Sequence, residues 1–252
     1  MNRIRTRLSC VTMALAVVAA AGYGPAHAAP IMIDDLSTGF EQVSFSETGS
    51  IPIAQNMPGR DMSVAVETVG NPSSGMVSEV NGLLLFSAAE GVAASLRLHY
   101  DLADVPGLGG PVDITDLPGL SLAFTAINPG TDQFELPIWF RLYDSEGNTA
   151  HHTASVGSVD PLGSLFGQTV AQSTLVASFS DFERDAGFDD TSVSHVRVWI
   201  NEDQGSMAPG ASWILLGGAE GGLVIIPEPA SLALMGIGGL LLLRRRRHPA
   251  QA

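Results

Sequence analysis

Apolar and polar residues alternate with a period of two through most of the chain. Met62, Val64 and Val66 alternate with Ser63, Ala65 and Glu67, and Leu96, Leu98 and Tyr100 with Arg97 and His99. The same beat runs through Leu120, Leu122 and Phe124, through Ile138, Phe140 and Leu142, and through Val196, Val198 and Ile200. Side chains repeat every second residue on one face of a strand, so each run predicts a strand with one buried face. Turn-forming clusters separate the runs: Asn71-Pro72-Ser73-Ser74-Gly75, Gly107 to Pro111, Asn128-Pro129-Gly130 and Ser145-Glu146-Gly147-Asn148. Between the two ends no segment has the period of a long amphipathic helix. About ten to twelve short strands, each with one apolar face, predict an all-β, two-sheet antiparallel β-sandwich of jelly-roll-like type.

The two ends depart from this pattern. Arg3, Arg5 and Arg7 precede an apolar run from Val11 to Ala21, and Ala26-His27-Ala28 has small residues at the cleavage spacing. Residues 1–28 therefore read as a signal peptide removed by signal peptidase. Cys10, the single cysteine, leaves with it, which excludes disulfides, thiolate metal sites and cysteine catalysis from the mature chain. At the other end, Pro227-Glu228-Pro229 is followed by the uncharged stretch 230–243 and then by Arg244, Arg245, Arg246 and Arg247. At 1.5 Å per residue the uncharged stretch makes a helix of ~21 Å, which predicts a single short transmembrane helix completed by snorkelling arginines. Four arginines stay on the cytoplasmic side, so both basic ends lie inside and everything between them lies outside.

In that order and spacing, these residues resemble the PEP-CTERM sorting signal of Gram-negative bacteria, here placed at 227–248. The resemblance implies recognition and removal of the tail by an exosortase, a membrane-embedded transpeptidase. The protein would be anchored transiently in the inner membrane and then reach the cell surface or the extracellular space. The resemblance further implies association with exopolysaccharide or biofilm.

The region between divides into a domain at 29–216 and a glycine-rich stretch at 217–226, which reads as a flexible linker. From residue 29 to 222 the chain has five arginines, no lysine and 25 acidic residues, a formal charge of −20. A surface this negative repels nucleic acid and anionic lipid, so neither is an expected partner beyond the inner membrane reached through the C-terminal helix. No Gly-x-Ser-x-Gly elbow, His-Glu-x-x-His pair or phosphate-cradling glycine loop is present. His151 and His152, adjacent on a strand, point to opposite faces. These absences predict no catalytic residues and a non-enzymatic protein.

Two groups of residues remain as candidates. Asp34 and Asp35 near the start, with Asp189 and Asp190 in a later loop, could supply hard oxygen ligands to a structural calcium ion; no other cofactor is expected. The second group follows from strand phase. If Leu98, Phe140 and Val198 face the core, then Trp139, Arg141, Tyr143, Arg197 and Trp199 face outward, with Arg97, His99 and His195 beside them. Aromatic rings stack on the apolar faces of sugars, and guanidinium groups hydrogen-bond hydroxyls or acidic substituents, so this composition suits a glycan platform.

Gly59-Arg60-Asp61, Tyr100-Asp101 and the hairpin Leu142 to Asn148 resemble pieces of the jelly-roll, galactose-binding-like ectodomains found ahead of such sorting tails. That resemblance implies sugar binding and a structural calcium. The expectation is an exported, non-enzymatic surface or matrix protein that interacts with a polysaccharide matrix. A purely structural or adhesive domain and a secreted carbohydrate-active hydrolase or lyase are the alternatives.

Overall fold

The computed structural model describes residues 30–36, 42–54, 57–68, 75–80, 82–130, 133–158, 173–217 and 221–226. They form an all-β structure in which the compact unit runs from Pro30 to Ile226. The strands are β1 (Ile31–Asp34), β2 (Val43–Phe45), β3 (Gly49–Ile53), β4 (Arg60–Thr68), β5 (Gly75–Val80) and β6 (Leu83–Ala88). There follow β7 (Ala93–Asp101), β8 (Gly119–Asn128), β9 (Glu135–Asp144), β10 (Thr149–Gly157) and β11 (Ser173–Ser178). The last are β12 (Glu183–Arg184), β13 (Val193–Ile200), β14 (Ser212–Leu216) and β15 (Leu223–Ile226). The one helical element among the described residues is the three-residue 3₁₀ turn Phe179–Asp181.

Two antiparallel sheets carry these strands. One runs β1-β15-β8-β14-β6-β5-β2, with β11 also on β8; the other runs β12-β10-β9-β13-β7-β4-β3. The alternating runs face the space between the sheets. Leu96, Leu98, Ile138, Phe140, Val198 and Ile200 of the second sheet are 0–1% exposed, and Leu120, Leu122 and Phe124 of the first match them. Burying a side chain of this size contributes ~1.5–3 kcal/mol, so the period-two pattern is the main source of the fold's stability. In the first sheet an aromatic stack runs through Phe45, Phe86 and Trp213, with Phe124 edge-on to the indole. Phe45 lies across Gly75, where an added Cβ would come within 2.0 Å of its ring, so only glycine fits there.

Residues 217 and 221–226 correct the expected linker at 217–226, of which 218–220 lie outside the described residues. Leu223–Ile226 is strand β15, paired with β1 through Ile31↔Ile225 and with β8 through Ile225↔Leu120. Its glycines mark close backbone approaches. A Cβ on Gly217 would lie 2.4 Å from the Gly82 carbonyl oxygen, and one on Gly222 would lie 2.1 Å from that of Asp34. The Gly222 N–H closes the loop onto the Leu216 carbonyl at 2.7 Å. A glycine run needed for tight packing has the same composition as a flexible one.

Two buried polar side chains, Arg60 and Tyr100, converge on Asp34 inside the sandwich. Arg60 of β4 reaches it at 2.7 Å and the Tyr100 hydroxyl of β7 donates to it at 2.8 Å, both on Oδ2. The Leu36 N–H donates to Oδ1. All three side chains are buried, so this network ties the first sheet to the second across the core.

Candidate functional site

The outward positions of β7, β9 and β13 meet on one face of the second sheet, because these strands are immediate neighbours. Register arranges them in rows. Trp199 lies opposite Trp139 and Arg97, Arg197 opposite Arg141 and His99, and His195 opposite Tyr143 and Asp101. Every outward residue that the strand phase predicted therefore shares this face. The Trp139 and Trp199 rings stack with centroids 4.4 Å apart and planes at 24°. The Tyr143 ring lies under two guanidinium groups, Arg141 at 5.2 Å and Arg197 at 4.7 Å. One expectation is corrected in part: Trp199 is only 8% exposed. Its indole backs Trp139 from the middle strand, flanked on both sides by side chains of β7 and β9, so Trp139 presents the more open ring.

Two depressions adjoin on this face. One, of about 400 Å³, is lined by Trp199, Arg197, Arg97 and His99 with Pro52 and Ile53 of β3. The other, of about 460 Å³, lies between His99, His195, Asp61 and Asp101. They share His99, Asp61 and Ile53. Burial, then the positive charge of Arg197 and the neighbouring His195, hold the His99 imidazole below its ordinary value against the pull of Asp61 and Asp101. His99 is thus kept neutral at pH 7.

The arginines of this face differ in how they are held. Arg97 grips Glu202 with both ends of its fork, Nε to Oε2 at 2.9 Å and Nη2 to Oε1 at 2.8 Å. The Ser95 hydroxyl donates to the same carboxylate at 2.7 Å. Glu202 is itself buried and follows Asn201, a left-handed residue whose side-chain amide donates to the Ala94 and Ala208 carbonyls. Arg141 and Arg197 form no direct ion pair among the described residues, although the charge of Arg141 reaches the Asp185 carboxylate, which Thr149 bonds. The closest polar contact of Arg141 is Nη2 to Thr149 Oγ1 at 3.4 Å. The Nε atoms of both arginines, Trp139 Nε1 and His99 Nε2 are covered by protein yet find no hydrogen-bond partner. Such groups are costly to leave unmatched.

The acidic candidates for calcium do not come together. Asp34 is committed to Arg60, Tyr100 and the Leu36 N–H in the core. Asp189 accepts from the Thr191 N–H and hydroxyl and from Ser192, and Asp190 pairs with Arg184 at 3.0 Å. Among the described residues no three His, Cys, Asp or Glu side chains converge as metal ligands, Asp35 included. The aspartates cap their own loops, which is why acidic residues gather there. Asp144, which sequence reasoning passed over as a turn residue, has the densest set of such bonds. It accepts from the N–H groups of Glu146, Asn148 and Asp189 and from the Asn148 amide. Burial opposes its charge, but these bonds outweigh it and hold the carboxyl below the usual range. Glu202 was missed because nothing in Asn201-Glu202-Asp203 distinguishes it from an exposed turn.

The signal peptide (1–28), Pro227, Glu228, Pro229, the helix at 230–243 and Arg244 to Arg247 lie outside the described residues. Among those described, no helix is long and apolar enough to cross a membrane.

No curated protein matches the chain. Similar solved structures include PfGH50B (TM-score 0.36, 13% identity) and a mutant of CBM29-2, a family 29 carbohydrate binding module (TM-score 0.32, 13% identity). A third is the agarase AgWH50C (TM-score 0.33, 10% identity). These cover 66%, 73% and 71% of this chain; the chain in turn spans 22% of PfGH50B, 85% of CBM29-2 and 25% of AgWH50C. Likeness of this degree fixes neither ligand nor activity. The family model for the PEP-CTERM protein-sorting motif matches residues 226–247, so the chain carries that motif, which implies export and processing by an exosortase.

Proposed function

We propose that this is an exported, non-enzymatic surface or extracellular-matrix protein that binds polysaccharide on the outer face of its seven-stranded sheet. The observation that carries the reading is the assembly of Trp139, Trp199, Tyr143, Arg141 and Arg197 on adjacent strands beside two depressions. A ring offers an apolar plane to the C–H face of a sugar while nearby N–H donors take its hydroxyls. Arg141 and Arg197 are half-buried and form no ion pair among the described residues, so a ligand supplying acceptors to their exposed atoms gains hydrogen bonds without first displacing a salt bridge. Exopolysaccharide or biofilm matrix is the proposed setting. After the tail is removed, the domain would be displayed or released there.

The chain ends fit this use. Ile31 pairs with Ile225, so the residues following the signal peptide and those entering the sorting motif leave the domain from the same end.

The test is retention of the domain on immobilised exopolysaccharide, compared with Trp139→Ala. Retention should fall by tenfold or more, since an aromatic contact of this kind accounts for much of a sugar site's affinity. Unchanged retention with an intact fold would remove the platform from the account. Release of reducing sugar by the purified protein would favour the hydrolase alternative, and absence of retention on any polysaccharide the structural one.

A further inference from the structure

Resting on that reading, we infer that the face selects saccharides carrying an isolated anionic group, which seats between Arg141 and Arg197. Four observations point to this. The two arginines lie directly opposite each other on β9 and β13, an arrangement of like charges that costs a sheet stability. Neither forms a direct ion pair among the described residues, Asp185 meeting Arg141 only by way of Thr149, although the chain from 29 to 222 holds 25 acidic residues against five arginines. The other three arginines, Arg60, Arg97 and Arg184, each meet a carboxylate. Finally, both guanidinium groups lie against the Tyr143 ring, which holds them side by side without neutralising them.

A carboxylate or sulfate between two guanidinium groups would accept from both and cancel their repulsion, while the adjoining sugar ring packs toward Trp139. The overall charge of the domain narrows the class. A densely charged polyanion would be repelled by a net −20 before reaching two cations, whereas a mostly neutral chain with a sparse uronate or sulfate would not. Asp61, Asp101 and Asp185 border the face and strengthen that discrimination.

The experiment is a printed array of oligosaccharides with matched neutral, uronate-bearing and sulfated members, probed with the whole mature domain, Arg141→Gln, Arg197→Gln and Trp139→Ala. Anionic members should be retained roughly tenfold or more above their neutral matches, the worth of hydrogen bonds to a charged group. Either arginine variant should reduce that ratio toward one while still retaining neutral members; Trp139→Ala should weaken both classes. Preference for uronate over sulfate, or the reverse, identifies which anion the pair takes. Equal retention of neutral and anionic members by the parent domain overturns the anionic subsite and leaves glycan binding standing. No retention of any member overturns both. Circular dichroism of each variant separates lost contact from lost fold.

Discussion

The interior and the outer face of the second sheet use arginine in opposite ways. Inside, Arg60 is buried against Asp34, and the carboxylate also takes Tyr100 and a backbone N–H. Outside, Arg141 and Arg197 face each other with no anion between them. The first arrangement is closed and the second is open. A fold that neutralises its buried charge this fully, while leaving two cations adjacent on a half-buried surface, has spent the first on architecture and kept the second for something it does not itself contain.

Breaking the interior pair tests the first half of that contrast and should have the largest effect. Asp34→Ala leaves a buried guanidinium without its carboxylate and strands the Tyr100 hydroxyl. Removing one partner of such a pair costs about 3–5 kcal/mol. Urea unfolding should show it, and a loss under about 1 kcal/mol would mean that the core does not depend on this link.

The contrast sharpens between paired and unpaired arginines on the same face. Glu202→Ala releases the fork of Arg97 and the Ser95 hydroxyl and should cost roughly 2 kcal/mol. Arg197→Gln breaks no ion pair among the described residues and should change stability by less than about 1 kcal/mol. If both variants unfold at the same urea concentration, the distinction between structural and free arginines fails.

The smallest effect is the response to acid. Asp144, Asp185 and Asp189 have carboxyls held low, Asp185 and Asp189 mainly by side-chain hydrogen bonds from Thr149 and Thr191. Their contribution is complete above the unfolded value near ~4 and is lost as pH falls through their lower native values. His99 is also lowered, so its contribution is complete above its unfolded value of about 6.5 and shrinks as pH drops below it. Unfolding free energy should therefore be level with respect to these groups above pH ~7, decline gently below ~6.5 and steeply below ~4. His99→Gln should flatten only the gentle step; a steeper profile in that variant would contradict the assignment.

Much of this was legible in the chain because a strand records its two faces in alternate residues. Phase alone placed Trp139, Arg141, Tyr143, His195 and Arg197 outward. Whether they would meet depended on strand order, which pairs residues far apart in sequence and leaves no local mark. Partnering was equally hidden. Asp34 looked like a ligand and is a buried counter-ion, and Glu202, which no pattern in the sequence marks, anchors Arg97. Composition misled at Gly217, Gly221 and Gly222, where glycine signified contact between backbones rather than slack.

That last correction bears on mechanics. β15 lies between β1 and β8, hydrogen-bonded to both. A pull applied at Ile226 along the strand axis would load the ladder bonds on either side together in shear rather than peel them one at a time. Such a load would be borne by the eight-stranded sheet.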